Sequence, residues 1–342
     1  MRGLIFRIRL SPRYTARPMI RFAALLLICF TTACSGLYSR NPDGGNTIVT
    51  GLGPPVCMRV LSDSVSVSSP AGNDGFKDIR ALVFDKDRNL HVLSEADPDS
   101  FIAVLAPPTY GLARTYGRGN LGPVRDLALD ATGNSYVVEN FESGPPKVKK
   151  FDARGNFNGT FVANGGTQDE GLSLAFDGTG LLNIGGLSRI YRYQTDGAFV
   201  DQYGISGVGV GKMLLPAGLT WDYTSQTIWV ADIFLNVVSQ YSPGSSSQRA
   251  QFGGRGPANG QFDGNETGAT HYGPSRVAID AEGKVYASDP GASRLQKFAP
   301  NGSYLAQFDF GTSKLFGAMA IHPDTGVIYA GRGGAIDVIC PF

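Results

Sequence analysis

The chain is poor in the residues most metal and nucleophile sites are built from. Its 342 residues include three histidines, four cysteines and two tryptophans. Three scattered histidines do not supply a convincing catalytic zinc set. No Ser-His-Asp order or Cys-His pair stands out. Charged residues are scarce at 17%. No long amphipathic helical stretch occurs, and the longest apolar run near the start, Phe22–Phe30, is too short to span a bilayer as a helix. A basic run is missing as well. Residues 1–33 hold six arginines and no acid, so the rest of the chain has 24 basic against 29 acidic residues. A mildly acidic chain without a basic tract argues against nucleic acid as a partner.

Glycine is abundant. The 46 glycines are about twice the average share. With frequent Tyr, Phe and Val they read as many short strands joined by tight turns.

The N-terminal segment "MIRFAALLLICFTTACSG" (19–36) places Arg21 before the apolar stretch and small residues before Cys34. It reads as an export signal over residues 1–33, with Met19 as an alternative start. "TTAC" resembles a bacterial lipoprotein signal, with Thr31 where that pattern places Leu. The resemblance implies acylation of Cys34 and, through Ser35, sorting to an outer membrane. An ordinary signal cut near Ala33, leaving Cys34 as a thiol, is the alternative. Residues 34–56, rich in Gly, Pro and Asn, read as a flexible tether.

From residue 57 onward one phrase recurs six times: "IRALVFD" (79–85), "VRDLALD" (124–130), "GLSLAFD" (171–177), "PAGLTWD" (216–222), "PSRVAID" (274–280) and "FGAMAIH" (316–322). The closing residues Asp85, Asp130, Asp177, Asp222, Asp280 and His322 are spaced by 45, 47, 45, 58 and 42 positions. A period near 45 with four short strands per unit predicts an all-β, six-bladed β-propeller. Within each phrase a large apolar residue three before the closing position (Leu82, Leu127, Leu174, Leu219, Val277, Met319) alternates with a mostly small one two before it. That pattern suits a sheet packed between two neighbouring sheets.

Only five fourth strands are present. An uncapped sixth sheet would leave an exposed edge, so the N-terminal segment "CMRVLSDSVSVS" (57–68) is expected to complete the last blade. Cys57 then opens the borrowed strand and Cys340 ends its neighbour. In an oxidising compartment the pair is expected to form a disulfide, two buried thiols being the alternative.

The unit "GGRGPANGQF…GPSRVAIDAEGKVYASDPGASRLQKFAPNGSYLAQF" (253–308) resembles the NHL repeat, in its Gly-rich linker, its Asp before the turn and its "D…RLQKF" third strand. The resemblance covers residues 57–342 and implies the propeller but no single chemistry, since related propellers act as scaffolds, sensors, lyases and lactonases. The zinc histidines of amidating lyases would fall at Arg80, Arg125, Leu172, Ala217, Ser275 and Gly317, none of which is histidine. Lactonase-type propellers hold one calcium with Glu, Asn and Asp. Glu139, Asn140, Asn183, Asp232 and Asp289 could offer such oxygens, although Asp232 and Asp289 also match turn-capping positions.

The polar starts of the inner strands, Arg80, Arg125, Asp126 and Arg276, should ring one mouth of the channel and make it positive, suiting an anionic or carbonyl-rich ligand. Salt bridges between blades are the competing reading. His271, in the insertion 263–273, and the irregular loop 139–147 are candidate contact segments. The expectation is therefore a lipid-anchored binding or scaffolding module of a bacterial envelope, at the outer membrane and facing the periplasm or the surface. It would bind an envelope protein or an anionic small molecule or glycan. No cofactor is expected for that role. A metal-dependent lyase or lactonase-type hydrolase with its site at the propeller channel is the alternative, and calcium is a candidate for its metal.

Overall fold

The computed structural model describes residues 75–342 apart from 97–98, 140–144, 164–171, 263–272 and 312–317. It also describes the backbone at Arg59–Leu61, Ser68–Ser69 and Gly72–Asn73. All of these lie in one compact unit, residues 48–342.

The inner strands form where the recurring phrase predicts them: Asp78–Phe84, Val124–Leu129, Ser173–Phe176, Pro216–Asp222, Val277–Ile279 and Ala318–Ile321. Each is the innermost of a four-stranded antiparallel sheet. Each inner strand also touches the inner strands of its two neighbours, the first touching the sixth, so the six sheets make a ring. The fold is all-β, a six-bladed propeller. Blades 1 to 5 run in sequence order from the axis outward. In blade 6 the outer position is taken by Arg59–Leu61, antiparallel to Ala335–Ile339 with Arg59 opposite Val338.

The core is divided into six slabs, one between each pair of adjacent blades. The large members of the phrase, Leu82, Leu127, Leu174, Leu219, Val277 and Met319, are all buried. Leu127 packs toward blade 1 with Leu93, Ile102 and Phe151, whereas the next residue, Ala128, packs toward blade 3 with Leu174 and Tyr193. Successive side chains of a strand point to opposite faces, so each inner strand serves two slabs. The alternation of large and small residues is the imprint of that double duty.

The closing aspartates hold the turn that follows each inner strand. Asp85 Oδ1 accepts the backbone N–H groups of Asp87 and Asn89 at 2.8 and 2.9 Å. Asp130 repeats the pattern with Thr132 and Asn134, and Asp280 with Glu282 and Lys284. In His322 the ring does this work: Nδ1 accepts the Asp324 N–H at 3.2 Å. The other carboxylate oxygen takes a donor from the second strand, namely His91, Tyr136, Asn183, Trp229 or Tyr286. His91 therefore belongs to a ring of donors that steady the turns. It is buried, and its Nδ1 lies 3.1 Å from the Tyr116 hydroxyl.

Burial holds His91 below the ordinary histidine range, against the pull of Asp85. The unfolded chain thus takes up a proton near pH 6.5 that the folded chain resists, and stability is lost as pH falls below about 6.5, by at most about 1.4 kcal/mol per pH unit. His91→Asn, which copies the residue blade 3 uses at this position, should flatten the unfolding free energy between pH 7 and 5.5. An unchanged slope in urea titrations would contradict this role.

Candidate functional site

Three inner strands carry a bulge at their start, between Ile79 and Ala81, Val124 and Asp126, and Pro216 and Gly218. A bulge re-aims the backbone locally. The three bulged residues are Arg80, Arg125 and Ala217, and the carbonyls of all three accept from the same guanidinium. Arg276 Nη2 donates to Arg80 O at 2.8 Å and Arg125 O at 3.2 Å, and Nη1 donates to Ala217 O at 3.3 Å. Nη1 also meets Asp126 Oδ2 at 3.0 Å. Asp126 in turn accepts the Leu174 N–H at 2.8 Å. One ion pair at the axis thereby ties blades 1, 2, 3, 4 and 5 together.

The pair is largely buried, with 14% of the Arg276 side chain and 7% of the Asp126 side chain exposed. Burial pushes the Asp126 carboxyl up, while Arg276 and the N–H groups of Leu174 and Leu127 pull it down. Packing around the pair is tight. A Cβ on Gly218 would lie 2.6 Å from Ser275 O and 2.9 Å from Arg276 Cα. Gly218→Ala should therefore displace the Arg276 backbone and lower the melting temperature by several degrees, consistent with overpacking costs of about 1–3 kcal/mol. An unchanged melting curve would show that this layer can give.

The pair also divides the channel. A cavity of about 920 Å³ extends from Asp126 and Arg276 to the closing turns, lined on the way by half-buried Phe84, Leu129, Phe176 and Trp221. Arg80, Arg125 and Ser275 do not line it. They lie on the other side of the pair, around the mouth where the inner strands begin.

That mouth differs from a uniformly positive rim. Arg80 is held by acids: its Nε donates to Glu95 Oε2 at 2.6 Å, and Nη2 lies 3.0 Å from Asp78. Asp126 offsets Arg276. Three carboxylates thus offset two of the three arginines. Arg125 is the exception among them: its Nε is buried with no hydrogen-bond partner. Ser275 completes this side, its hydroxyl 3.1 Å from that of Ser288.

The oxygens considered for calcium are engaged within the protein. Glu139 accepts the Gly122 N–H, Asn183 accepts the Tyr203 hydroxyl, Asp232 accepts the Leu214 N–H at 2.7 Å, and Asp289 binds Arg294 at 2.9 Å. Among the described residues, no group of three or more His, Cys, Asp or Glu side chains is placed to hold a metal ion. Asn140, His271, Cys34 and Cys57 lie outside the described residues, as do most of the loops at 139–147 and 263–273.

Arg276 and Asp126 were both legible as polar rim residues, but not as partners. The signal was available in the repeat. Both stand four residues before a closing aspartate, whereas Arg80 and Arg125 stand five before, so the phase of the repeat puts the oppositely charged two in one layer of the channel.

No protein-family model and no curated protein matches the chain. Solved structures do. A catalytically inactive virginiamycin B lyase from Staphylococcus aureus, with quinupristin, is 10% identical and covers 83% of this chain and 100% of its own, with a TM-score of 0.54. A protein of unknown function from Bacteroides thetaiotaomicron is 13% identical over 82% of this chain and 76% of its own, with a TM-score of 0.57. The β-propeller domain of Cps50 (Swd1) from Myceliophteria thermophila is 14% identical over 77% of this chain and 96% of its own, with a TM-score of 0.53. At these identities the likeness establishes the propeller fold.

Proposed function

We propose that the chain is an exported, NHL-type propeller, acylated at Cys34 and held at a bacterial outer membrane. There it acts as a binding or scaffolding module through the mouth where the inner strands begin. The observation that supports this most is Arg125, whose buried Nε has no hydrogen-bond partner among the described residues, beside the Arg276–Asp126 pair. A rigid ring presents this cationic donor at the mouth where its inner strands begin, and binding concentrates at the rims of rigid scaffolds. The partner is an envelope protein or an anionic small molecule or glycan that reaches Arg125.

The lyase alternative draws on the name of a structural neighbour. At 10% identity that likeness carries the fold and not the chemistry. A Cys57–Cys340 disulfide belongs to the same proposal. Arg59, Val60 and Leu61 pair with Val338, Asp337 and Ile336, and extending that register by two residues puts position 57 opposite Cys340. Cys340 itself is engaged rather than free.

Two measurements test the reading. Elemental analysis of protein purified without chelator should find zinc and calcium well below one per chain, and one tightly held ion per chain would overturn the binding reading in favour of the enzyme. Cells producing Cys34→Ala should release the protein from the membrane fraction, and full retention would remove the acyl anchor.

A further inference from the structure

We propose that the mouth where the inner strands begin holds a single carboxylate group, seated on Arg125 beside the Arg276–Asp126 pair. This rests on the binding reading given above and narrows it to one contact residue and one ligand chemistry.

Each of the three arginines at this mouth has a different status. Arg276 is spent: its guanidinium serves Asp126 and the carbonyls of Arg80, Arg125 and Ala217. Arg80 is spent on Glu95 and Asp78. Arg125 contributes its carbonyl to the Arg276 hub, yet its side chain has no protein acceptor among the described residues, and its Nε is buried without a partner. A buried donor left unsatisfied costs about 1–3 kcal/mol. Arg114 and Arg118 also bury nitrogens without a partner, but each holds an acceptor through another nitrogen. Arg125 does not, and that calls for an explanation, of which an ion site is one. The equivalent positions in blades 3, 4 and 5 are Leu172, Ala217 and Ser275, which bring no competing charge.

The chemistry of the ligand follows from two further features. Arg276 spans the axis from blade 5 to carbonyls of blades 1, 2 and 4 and to Asp126, and one of those carbonyls is that of Arg125. A group held by Arg125 is therefore the end of a side chain or of a small molecule, and not a chain threading the channel. Asp78, Glu95 and Asp126 also stand around the mouth and penalise a second negative charge. A planar singly charged group that accepts from a guanidinium fits both constraints. A carboxylate is such a group, and a phosphate dianion is a poorer match.

The test uses the exported, processed protein and two probes, acetate and inorganic phosphate, followed through the backbone amide signals of residues 124–126. Acetate should shift these signals saturably and bind more tightly than phosphate. Arg125→Gln should weaken acetate at least tenfold, and Arg80→Gln should change it less than twofold. Because the Arg125 side chain has no hydrogen-bond partner among the described residues, its variant should melt within a few degrees of the parent. Arg125→Lys, which keeps the charge and loses the fork, provides a second variant and should weaken acetate severalfold. Absence of saturable binding, tighter binding of phosphate, full retention by both Arg125 variants, or an equal loss in Arg80→Gln would each overturn the proposal. A partner that still crosslinks to this mouth in such a case would leave the broader binding reading standing.

Discussion

Arg276→Ala is expected to lower the unfolding free energy by about 3–5 kcal/mol at neutral pH, the range for removing one partner of a buried ion pair. The loss has three sources. Asp126 keeps its buried position without a countercharge. The carbonyls of Arg80, Arg125 and Ala217 lose a shared donor. Five blades lose their common tie at the axis. The effect should depend on pH in a definite sense. Burial already raises the Asp126 carboxyl, and Arg276 lowers it, so the variant raises it further. A carboxyl with a raised folded pKa binds more protons in the folded than in the unfolded state, so its charged form costs stability as pH rises through that pKa. The gap between parent and variant should therefore narrow from pH 7.5 to pH 5. Arg276→Met combined with Asp126→Leu should recover part of the loss, because it leaves no buried charge unpaired. Urea unfolding at the two pH values measures all of this. A loss under about 1 kcal/mol, or one that does not change with pH, would show that the pair is incidental to the ring.

The second large effect is expected at the seam of blade 6. Positions 57 and 340 are 283 apart in sequence, and cross-linking such a span removes up to about 5–6 kcal/mol of chain entropy from the unfolded state in the simple model. Cys340→Ser should cost about 2–5 kcal/mol. Cys57→Ser and the double variant should give the same value, since either removes the whole bond. Reductant should destabilise the parent and leave the variants unchanged. The mechanism is local as well as entropic. Among the described residues, the three pairs from Arg59 to Leu61 hold the borrowed strand on Ala335–Ile339, and the proposed bond would strengthen that attachment and keep the edge covered. Peptide mapping without reduction that found free thiols at both positions would reject the bond.

The ring itself was readable in the sequence because its period is carried by backbone chemistry that every blade must repeat. Each closing aspartate accepts two turn amides, two and four residues on in blades 1, 2, 3 and 5 and two and three residues on in blade 4, and each inner strand must present a large side chain to one neighbour and a small one to the other. His322 and His91 were readable for the same reason, since each replaces a residue whose role the other blades reveal. The channel mouth was less readable. The composition of its layer, three arginines and one aspartate, suggested a positive rim. The bulges at Arg80, Arg125 and Ala217 turn carbonyls toward Arg276, and nothing in the residue types announces this. Asp78 and Glu95 counter Arg80 from the edges of their strands, positions that an inner-strand alignment does not pair. Charge patterns at an axis depend on which blades face each other, and a linear repeat does not display that until its phase is followed residue by residue.

The proposed binding through the mouth where the inner strands begin is tested most directly by site-specific photocrosslinking in living cells. One crosslinker replaces Ser275 at that mouth, and another replaces Tyr223 at the closing-turn mouth, where the side chain is 78% exposed. A discrete crosslinked species is expected from position 275, lost in Arg125→Gln, and none from position 223. Crosslinks confined to position 223, or none from position 275, would contradict it.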